Sequence, residues 1–263
     1  MKTSPSTNHG KATVLLKGRI ENYRASTQQV NFFEAVVERK KMAAASAAAA
    51  LAGMGGIAVG TALLGSDDMK EDCDLVEFEL NGKKLEGYLW LSPFQEGDHV
   101  EVAAEPLADG RYFLYGMCRP LDKIIALAPH CTRGKISHYW MSLRFYSRLF
   151  LFIYILAFLL IMAIAWLKNL DGWMKFIGFL LLSGVFSYIV CGIIAIRVSR
   201  KYLGFVEITE SVLSMLGWKD PARTDLPRIH KRNASAHDTS NHGSCFFRYD
   251  DSVFTPAMGK GPQ

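Results

Sequence analysis

The chain has 263 residues and a formal net charge of +5, with 30 lysines and arginines against 25 acidic residues. Much of this excess flanks two long apolar runs, a pattern that suits anionic lipid headgroups and argues against a nucleic-acid-binding protein. The five cysteines form no CxxC pair, so the sequence predicts reduced thiols and no disulfide framework.

Residues 1–41 form the N-terminal part of a predicted β-rich domain. Their polar start lacks the short apolar core of a cleavable signal peptide, so we expect internal segments to direct membrane insertion. The run at residues 12–23 is typical of a strand, and we expect a bulge at Gly18.

An Ala/Gly-rich insertion follows at residues 42–66, and positions 42–65 carry no charge. Three interpretations stay open: a third transmembrane helix, a helical hairpin packed through small residues, and a flexible spacer. Gly56 and Gly60 form a GxxxG pair of the kind that packs membrane helices closely. A single crossing here would reverse the charge bias of the later apolar runs, so we favour a helical insertion that packs on itself or seeks the membrane conditionally.

Residues 67–134 form the main part of the β-rich domain. Strands at residues 74–80 and 83–91 flank Asn81-Gly82, a dipeptide that favours the type I′ turn of a hairpin. Short strands at residues 99–104 and 111–117 form a second predicted pair. About five short strands with tight turns indicate a small, curled antiparallel sheet or a partly open barrel.

Two uncharged apolar runs, at residues 149–167 and 176–196, predict a transmembrane helix hairpin over residues 149–196. At 1.5 Å per residue they extend about 29 and 32 Å, close to a bilayer core of about 30 Å. A helix of a soluble core would show polar residues at every turn, and these runs show almost none. Neither run contains an ionisable Asp, Glu, Lys, Arg or His, which argues against a transporter built from this pair alone.

The flanks of the hairpin predict its orientation. A basic juxtamembrane segment at residues 135–148 precedes it, and Arg197, Arg200 and Lys201 follow it. By the positive-inside rule, both termini are cytoplasmic and the loop lies outside. Gly184 and Tyr188 of the second run are expected to seat one helix against another, within the hairpin in preference to a homo-oligomer.

Residues 197–227 contain a predicted juxtamembrane amphipathic helix. Thr209 is a candidate cap near its start, and Gly217 with Pro221 ends it. Residues 228–263 are polar and are expected to be mostly disordered. The expected fold class is therefore a membrane α+β protein: an antiparallel β-rich cytoplasmic domain with an Ala/Gly-rich helical insertion, a transmembrane hairpin, a short helix and a disordered tail.

The sequence shows no arrangement typical of catalysis. His130 and Cys131 with nearby His138 are residue types that bind zinc, but adjacent ligands are unusual and a fourth is missing. The histidines at positions 230, 237 and 242 lie among polar residues and are expected to be solvated. We therefore predict a non-enzymatic protein with no metal and no cofactor.

Several short stretches resemble a family of two-span bacterial membrane proteins described as effectors of the type VI secretion system. That family carries a Glu-x-Ile-Phe element, and the matching stretch at residues 210–213 keeps the acid but replaces both apolar residues. The residues that carry the resemblance are Pro93, Gly97, Asp98, Arg119, Pro120, Asp122, Pro129, His130, Cys131, Arg133, Gly134 and Glu210.

The resemblance implies a multi-pass protein of the bacterial inner membrane that takes part in interbacterial competition. It implies either an effector that acts at or in bacterial membranes, or an immunity or accessory protein that binds a cognate toxin. An enzyme is the third and least favoured class. The expected partners are the lipid bilayer, a secretion-system component or a cognate toxin or immunity protein, and a second copy of the chain, with no nucleic acid.

Overall fold

The computed structural model describes residues 12–30, 71–168, 173–236 and 238–254, with the side chains of residues 173–176 left out. The chain divides into two compact units: Met1–Lys135 with Gly204–Gln263, here called the barrel unit, and Ile136–Leu203, here called the hairpin unit. The predictions for residues 42–66, including Gly56 and Gly60, and for position 237 lie outside the described residues.

The barrel unit is built on a seven-stranded sheet that closes on itself. Strand β1 pairs with β2 and β4, β2 pairs with β3, and β4 pairs with β5. The sheet closes because β3 also pairs with β5, and this contact is the parallel one. The strand connectivity is that of an OB-type Greek-key barrel, a fold that hosts many functions and implies none by itself. The strands are β1 Val14–Val30, β2 Glu71–Leu80, β3 Lys83–Leu89, β4 His99–Pro106, β5 Tyr112–Arg119, β6 Ile124–Leu127 and β7 Phe247–Arg248.

Strand β1 is long because it serves two neighbours in turn. Its first residues pair with β4, and from Ile20 onward it pairs with β2. The predicted bulge at Gly18 is wrong: Gly18 pairs in register with Val100, and the register shift falls between Glu21 and Arg24. Gly18 is needed for space instead, since a Cβ there would lie 2.8 Å from the side chain of Asn81.

The hairpin of β2 and β3 is confirmed. Asn81 and Gly82 both have positive φ, 53° and 75°, as the predicted type I′ turn requires. The Asn81 amide also donates to the carbonyl oxygen of Lys17 at 2.8 Å, which ties this turn to β1. Local backbone preference and a tertiary contact therefore agree at this position.

Closure of the barrel depends on a glycine in β3. Gly87 lies opposite Leu114 in the parallel pair, and a Cβ on Gly87 would lie 2.6 Å from the Leu114 Cβ. The missing side chain lets the two backbones approach. Inside the closed sheet lies a core of fully buried apolar side chains, among them Ile20, Val76, Leu80, Leu89, Val102, Leu114 and Met117.

The segment after the hairpin returns to the barrel unit as helix α3, Leu203–Met215, a 3₁₀ turn at Pro221–Arg223 and helix α4, Leu226–Asn233. Gly217, at φ 78°, follows α3 as predicted. Thr209 is not a cap: it lies inside α3, fully buried, and its hydroxyl donates to the Phe205 carbonyl at 2.9 Å. Apolar positions before it extend the helix to Leu203.

The tail expected to be mostly disordered is ordered as far as Phe254. Asp225 caps α4 by accepting from the backbone N–H of Arg228. Strand β7 then pairs with β6, placing Phe247 opposite Ile125 in the interior. Phe247 is only 1% exposed, and burial of its apolar side chain stabilises the tail. The overall polar composition of the tail gives no indication of this contribution.

The hairpin unit holds helix α1, Lys135–Leu167, from its second residue onward, and helix α2, Trp173–Arg200. The basic segment at residues 135–148 is not a separate element, because it forms the first turns of α1. Both helices are long and apolar enough to cross a membrane by length and composition.

Candidate functional site

The residues that carry the family resemblance gather into two groups on the barrel unit. We call the first the arginine cluster, made of Pro93, Asp98, Arg119 and Asp122. We call the second the junction cluster, made of His130, Cys131, Arg133, Gly134 and Glu210. Pro120 lies exposed beside the arginine cluster, and Pro129 lies buried beside the junction cluster.

The arginine cluster is organised around one guanidinium. Arg119 donates Nε and Nη2 to the two carboxylate oxygens of Asp122 at 3.0 and 2.6 Å. Its Nη1 donates to the carbonyl of Pro93 at 3.2 Å and to the carboxylate of Asp98. Hydrogen bonding to these carboxylates raises the pKa of Arg119, so the group is a fixed cation. The cluster therefore joins the end of β5 to the loop before β4.

That loop is held to β1 from its other side. Gly97 has φ 87°, and its carbonyl accepts from Arg19 Nε at 3.1 Å. The carboxylate of Glu96 accepts from the backbone N–H groups of Asn22 and Tyr23, at 3.1 and 2.7 Å. These are the residues of the β1 register shift, so the loop satisfies the backbone donors that the bulge leaves unpaired.

In the junction cluster, His130 adopts φ 64° and its Nε2 lies 2.8 Å from a carboxylate oxygen of Glu71. The rings of Trp90 and Phe205 pack on either side, with centroids 5.1 and 5.2 Å from the imidazole. Next to it, burial raises the pKa of the Cys131 thiol to about 12, so the sulfur stays protonated. A protonated, buried thiol is neither a nucleophile nor a good metal ligand.

The junction ends in a tight passage into α1. A Cβ on Gly134 would collide with the Pro221 carbonyl, and the Gly134 N–H donates to the Thr224 carbonyl at 2.9 Å. Arg133 Nε lies 3.3 Å from the carboxylate of Asp225. The passage is thus held by the segment that follows α3.

Glu210 lies at the start of α1. One of its carboxylate oxygens accepts from the backbone N–H of Lys135 at 2.8 Å. The first turn of α1 has no acidic residue of its own, so a carboxylate from α3 supplies the negative charge that a helix N-terminus favours. The acid that this sequence shares with the Glu-x-Ile-Phe element therefore has a structural contact, while Val212 and Leu213 beside it are fully buried.

Sequence reasoning missed a polar group in the ordered tail. Arg248 Nη2 donates to Asp238 at 2.6 Å, and the same carboxylate lies 3.6 Å from His242 Nε2. His230 accepts from the Arg248 backbone N–H at 3.3 Å, so neither of these histidines is simply solvated. The sequence Asp225-Leu226-Pro227 is typical of a capped helix start and therefore indicates an ordered segment. The prediction of disorder followed the polar composition of the tail instead.

Across the described ranges, no group of three or more His, Cys, Asp and Glu side chains could hold a metal ion. The residues weighed as zinc ligands have other partners. His130 contacts Glu71, Cys131 contacts Thr209, and His138 Nε2 lies 2.9 Å from the Ser199 hydroxyl within the hairpin unit.

Within the hairpin unit, Gly184 and Tyr188 lie on the face of α2 that meets α1. A Cβ on Gly184 would collide with the Tyr154 ring. The Tyr188 hydroxyl lies 2.8 Å from the Ser147 hydroxyl, and the Tyr154 hydroxyl donates to the Leu180 carbonyl at 2.7 Å. These residues serve packing inside one hairpin.

The outer surface of the hairpin unit is apolar. In the most apolar 18-residue stretch of each helix, 6% of residues are buried. Phe152 and Phe186 are 68% and 69% exposed, and Leu182 is 72% exposed. An apolar surface of this extent marks a membrane or protein contact site.

The outer positions of β2 and β3 carry charges of both signs. Glu79 lies opposite Lys84 in the β2–β3 pair, and Arg111 donates to the carboxylate of Glu86. A scan against family models and searches of curated proteins and of solved structures find no match to the chain.

Proposed function

We propose that the chain is a membrane-anchored, non-enzymatic binding protein of the bacterial inner membrane. The hairpin unit inserts into the bilayer, and the barrel unit remains at the cytoplasmic surface. The observation that carries this proposal is the apolar outer surface of α1 and α2. Exposed Leu, Ile and Phe along two helices of this length are stable in lipid and unstable in water.

The contacts of the barrel unit support a binding role. The ionic groups that carry the resemblance have partners inside the protein. Arg119 binds two carboxylates, Glu210 accepts from the start of α1, and Arg133 pairs with Asp225. Groups used in this way shape and stiffen a surface and are poorly placed to move protons or attack a substrate.

We place this anchored protein in type VI secretion, as the resemblance implies, with two candidate roles. In the first, it is an effector that acts on bacterial membranes. In the second, it is a resident immunity or accessory protein that binds a cognate toxin through the barrel unit. Basic residues at the base of the hairpin, Arg197, Arg200 and Lys201, favour the second, because they fit a stable orientation in the cell's own inner membrane.

Membrane anchoring is tested by fractionation. The full chain should stay in the membrane pellet after alkaline carbonate and enter solution only with detergent. A double variant, Leu156→Arg with Phe186→Arg, places two charges on the apolar faces and should abolish carbonate resistance. The matched control is Leu121→Arg, since Leu121 is 91% exposed but lies on the barrel unit. A wild-type chain that dissolves without detergent would refute the proposal.

The two roles are separated by expression in a naive bacterium. Export of the chain to the periplasm should depolarise or kill the cells if it is an effector. If it is an immunity or accessory protein, export should be harmless, and cytoplasmic expression should protect cells from a neighbouring toxin-producing strain. If the chain neither kills nor protects cells, the type VI assignment is contradicted. The proposal of membrane anchoring is not affected by that result.

A further inference from the structure

We infer that the outer face of α1 binds the headgroup phosphate of an acidic phospholipid through Arg144 and Arg148. The inference rests on the membrane anchoring proposed above and names the lipid class that the hairpin selects. It depends on three features of the hairpin unit: the direction of these two side chains, their depth, and the charge around them.

The contacts between the helices fix which face of α1 looks outward. Ser142, Tyr146 and Tyr154 contact α2, through the Ser199 hydroxyl, the Tyr188 carbonyl and the Leu180 carbonyl. These residues follow a four-residue spacing that forms one stripe on a helix. Arg144 and Arg148 are displaced by two positions, about 200° around the helix axis, and so lie on the opposite face.

The outer face around these arginines is apolar and aromatic. The Arg144 guanidinium lies over the ring of Trp140, 5.6 Å from its centroid, and Trp140 is 57% exposed. Phe145 and Phe152 nearby are 69% and 68% exposed. Tryptophan with arginine on an apolar helix face is typical of the headgroup region of a bilayer.

The register of the hairpin fixes the depth. Since Tyr146 contacts both Tyr188 and Gly192, Arg148 lies level with the segment around Ile189. The apolar run of α2 continues from there to Ile196, about 10 Å further along the helix. Arg144 and Arg148 therefore lie beside an apolar surface that lipid must cover. In that environment, the phosphate oxygens of lipid headgroups are available to accept hydrogen bonds from the two guanidinium groups.

The charge around the arginines selects an acidic lipid. Between positions 136 and 203 the sequence has a single acidic residue, Asp171, which is distant from both arginines along the chain. No ion pair is recorded for Arg144 or Arg148 in the described part of the hairpin unit. A zwitterionic headgroup carries a cation of its own, which the two arginines repel and no nearby acid attracts. An anionic headgroup is attracted by each arginine.

The test is native mass spectrometry of the full chain in detergent, titrated with phosphatidylglycerol or phosphatidylcholine. Phosphatidylglycerol should bind more tightly, and Arg144→Gln with Arg148→Gln should weaken its binding about ten- to thirtyfold. The matched control, Arg197→Gln with Arg200→Gln, removes the same charge from α2 and should change binding less than threefold. Arg144→Lys with Arg148→Lys keeps the charge without the planar fork and should give an intermediate loss.

Equal losses in the two glutamine variants would overturn the inference in favour of unspecific charge attraction. Equal binding of the two lipids would overturn it as well. Competition by inorganic phosphate at the same concentration would show a free-anion site and would also overturn it. Carbonate extraction of each variant is run in parallel, so a failure of membrane anchoring is seen separately from a failure of lipid selection.

Discussion

Arg119 shows how a single residue can join separate parts of the barrel unit. It lies at the end of β5, and its guanidinium reaches the loop before β4 and the turn after β5. The side chain is 16% exposed, so its hydrogen bonds are largely shielded from water. Bidentate pairing of this kind depends on the planar geometry of arginine as well as on its charge.

Replacing Arg119 should therefore destabilise the barrel unit. We expect Arg119→Gln to lower the free energy of unfolding by about 2–3 kcal/mol, because it removes the cationic partner of the half-buried carboxylates of Asp98 and Asp122. Arg111→Gln is the control: Arg111 also pairs with two carboxylates but is 48% exposed, and its loss should cost much less. Urea unfolding in detergent, followed by tryptophan fluorescence, measures both. Equal losses would contradict the role given to Arg119.

Glu210 acts on a helix to which it does not belong. We expect Glu210→Ala to weaken the first turn of α1 by about 1 kcal/mol, making its amides exchange about fivefold faster. Glu210→Gln keeps an acceptor without the charge and should give a smaller effect. Hydrogen exchange with mass spectrometry over residues 135–140 measures both variants. Unchanged exchange in the alanine variant would show that the contact is incidental.

At the scale of elements, closure of the barrel depends on the β3–β5 pair. We expect Gly87→Ala to lower the free energy of unfolding by about 1–3 kcal/mol, because the added methyl group overlaps Leu114 across the parallel pair. Gly178→Ala is the matched substitution on α2, where a Cβ meets nothing within 4 Å. Its effect should be near neutral or slightly stabilising. Thermal unfolding measures the stability of both variants. Equal stability of Gly87→Ala and Gly178→Ala would contradict a close backbone contact at Gly87.

The ordered tail should be sensitive to acid. Hydrogen bonding from Arg248 holds the pKa of Asp238 at about 2, against an ordinary value near 3.8. The folded state therefore favours the charged carboxylate: its contribution to stability is complete above pH 4 and is lost as the pH falls towards 2.

Asp238→Asn tests this dependence. The variant should be less stable than the wild type at pH 6, and the difference should shrink between pH 4 and pH 2. Asp251→Asn is the control, since that carboxylate pairs with Lys123 while 78% exposed, and we expect the substitution to change stability little at pH 6. A constant gap between Asp238→Asn and wild type down to pH 2 would contradict the assignment.

At the scale of the whole molecule, strand pairing restricts how the chain can cross a bilayer. Val30 and Glu71 are paired partners in one sheet, so both flanks of residues 31–70 lie on the same side of any membrane. The strands β6 and β7, which precede and follow the hairpin unit, also pair. The number of complete crossings made by the hairpin unit between these two strands must therefore be even.

We therefore expect both termini to lie on one side of the membrane. In sealed inverted vesicles of the inner membrane, protease should remove tags from the N- and C-termini together. A cysteine introduced by Asn169→Cys, in the loop of the hairpin, should react with an impermeant reagent only from the opposite side. Opposite accessibility of the two tags would refute the hairpin topology.

Elements that depend on neighbouring residues could be predicted from the sequence alone. Asn81-Gly82 fixed a hairpin because two successive residues tolerate positive φ, and the apolar runs fixed two long helices because their composition persists over more than five turns. Each signal lies within a window of neighbouring residues, where backbone preference and periodicity act.

The other features depend on contacts between residues far apart in the chain. Strand β7 pairs with β6, an element more than a hundred positions earlier, and its burial orders a tail that composition describes as polar. Parallel closure at Gly87, the cap that Glu210 gives to α1, and the partners of Arg119 likewise join residues far apart in the chain. Such contacts leave no periodic trace because their free energy arises from shape and charge complementarity after folding, not from the preferences of adjacent residues.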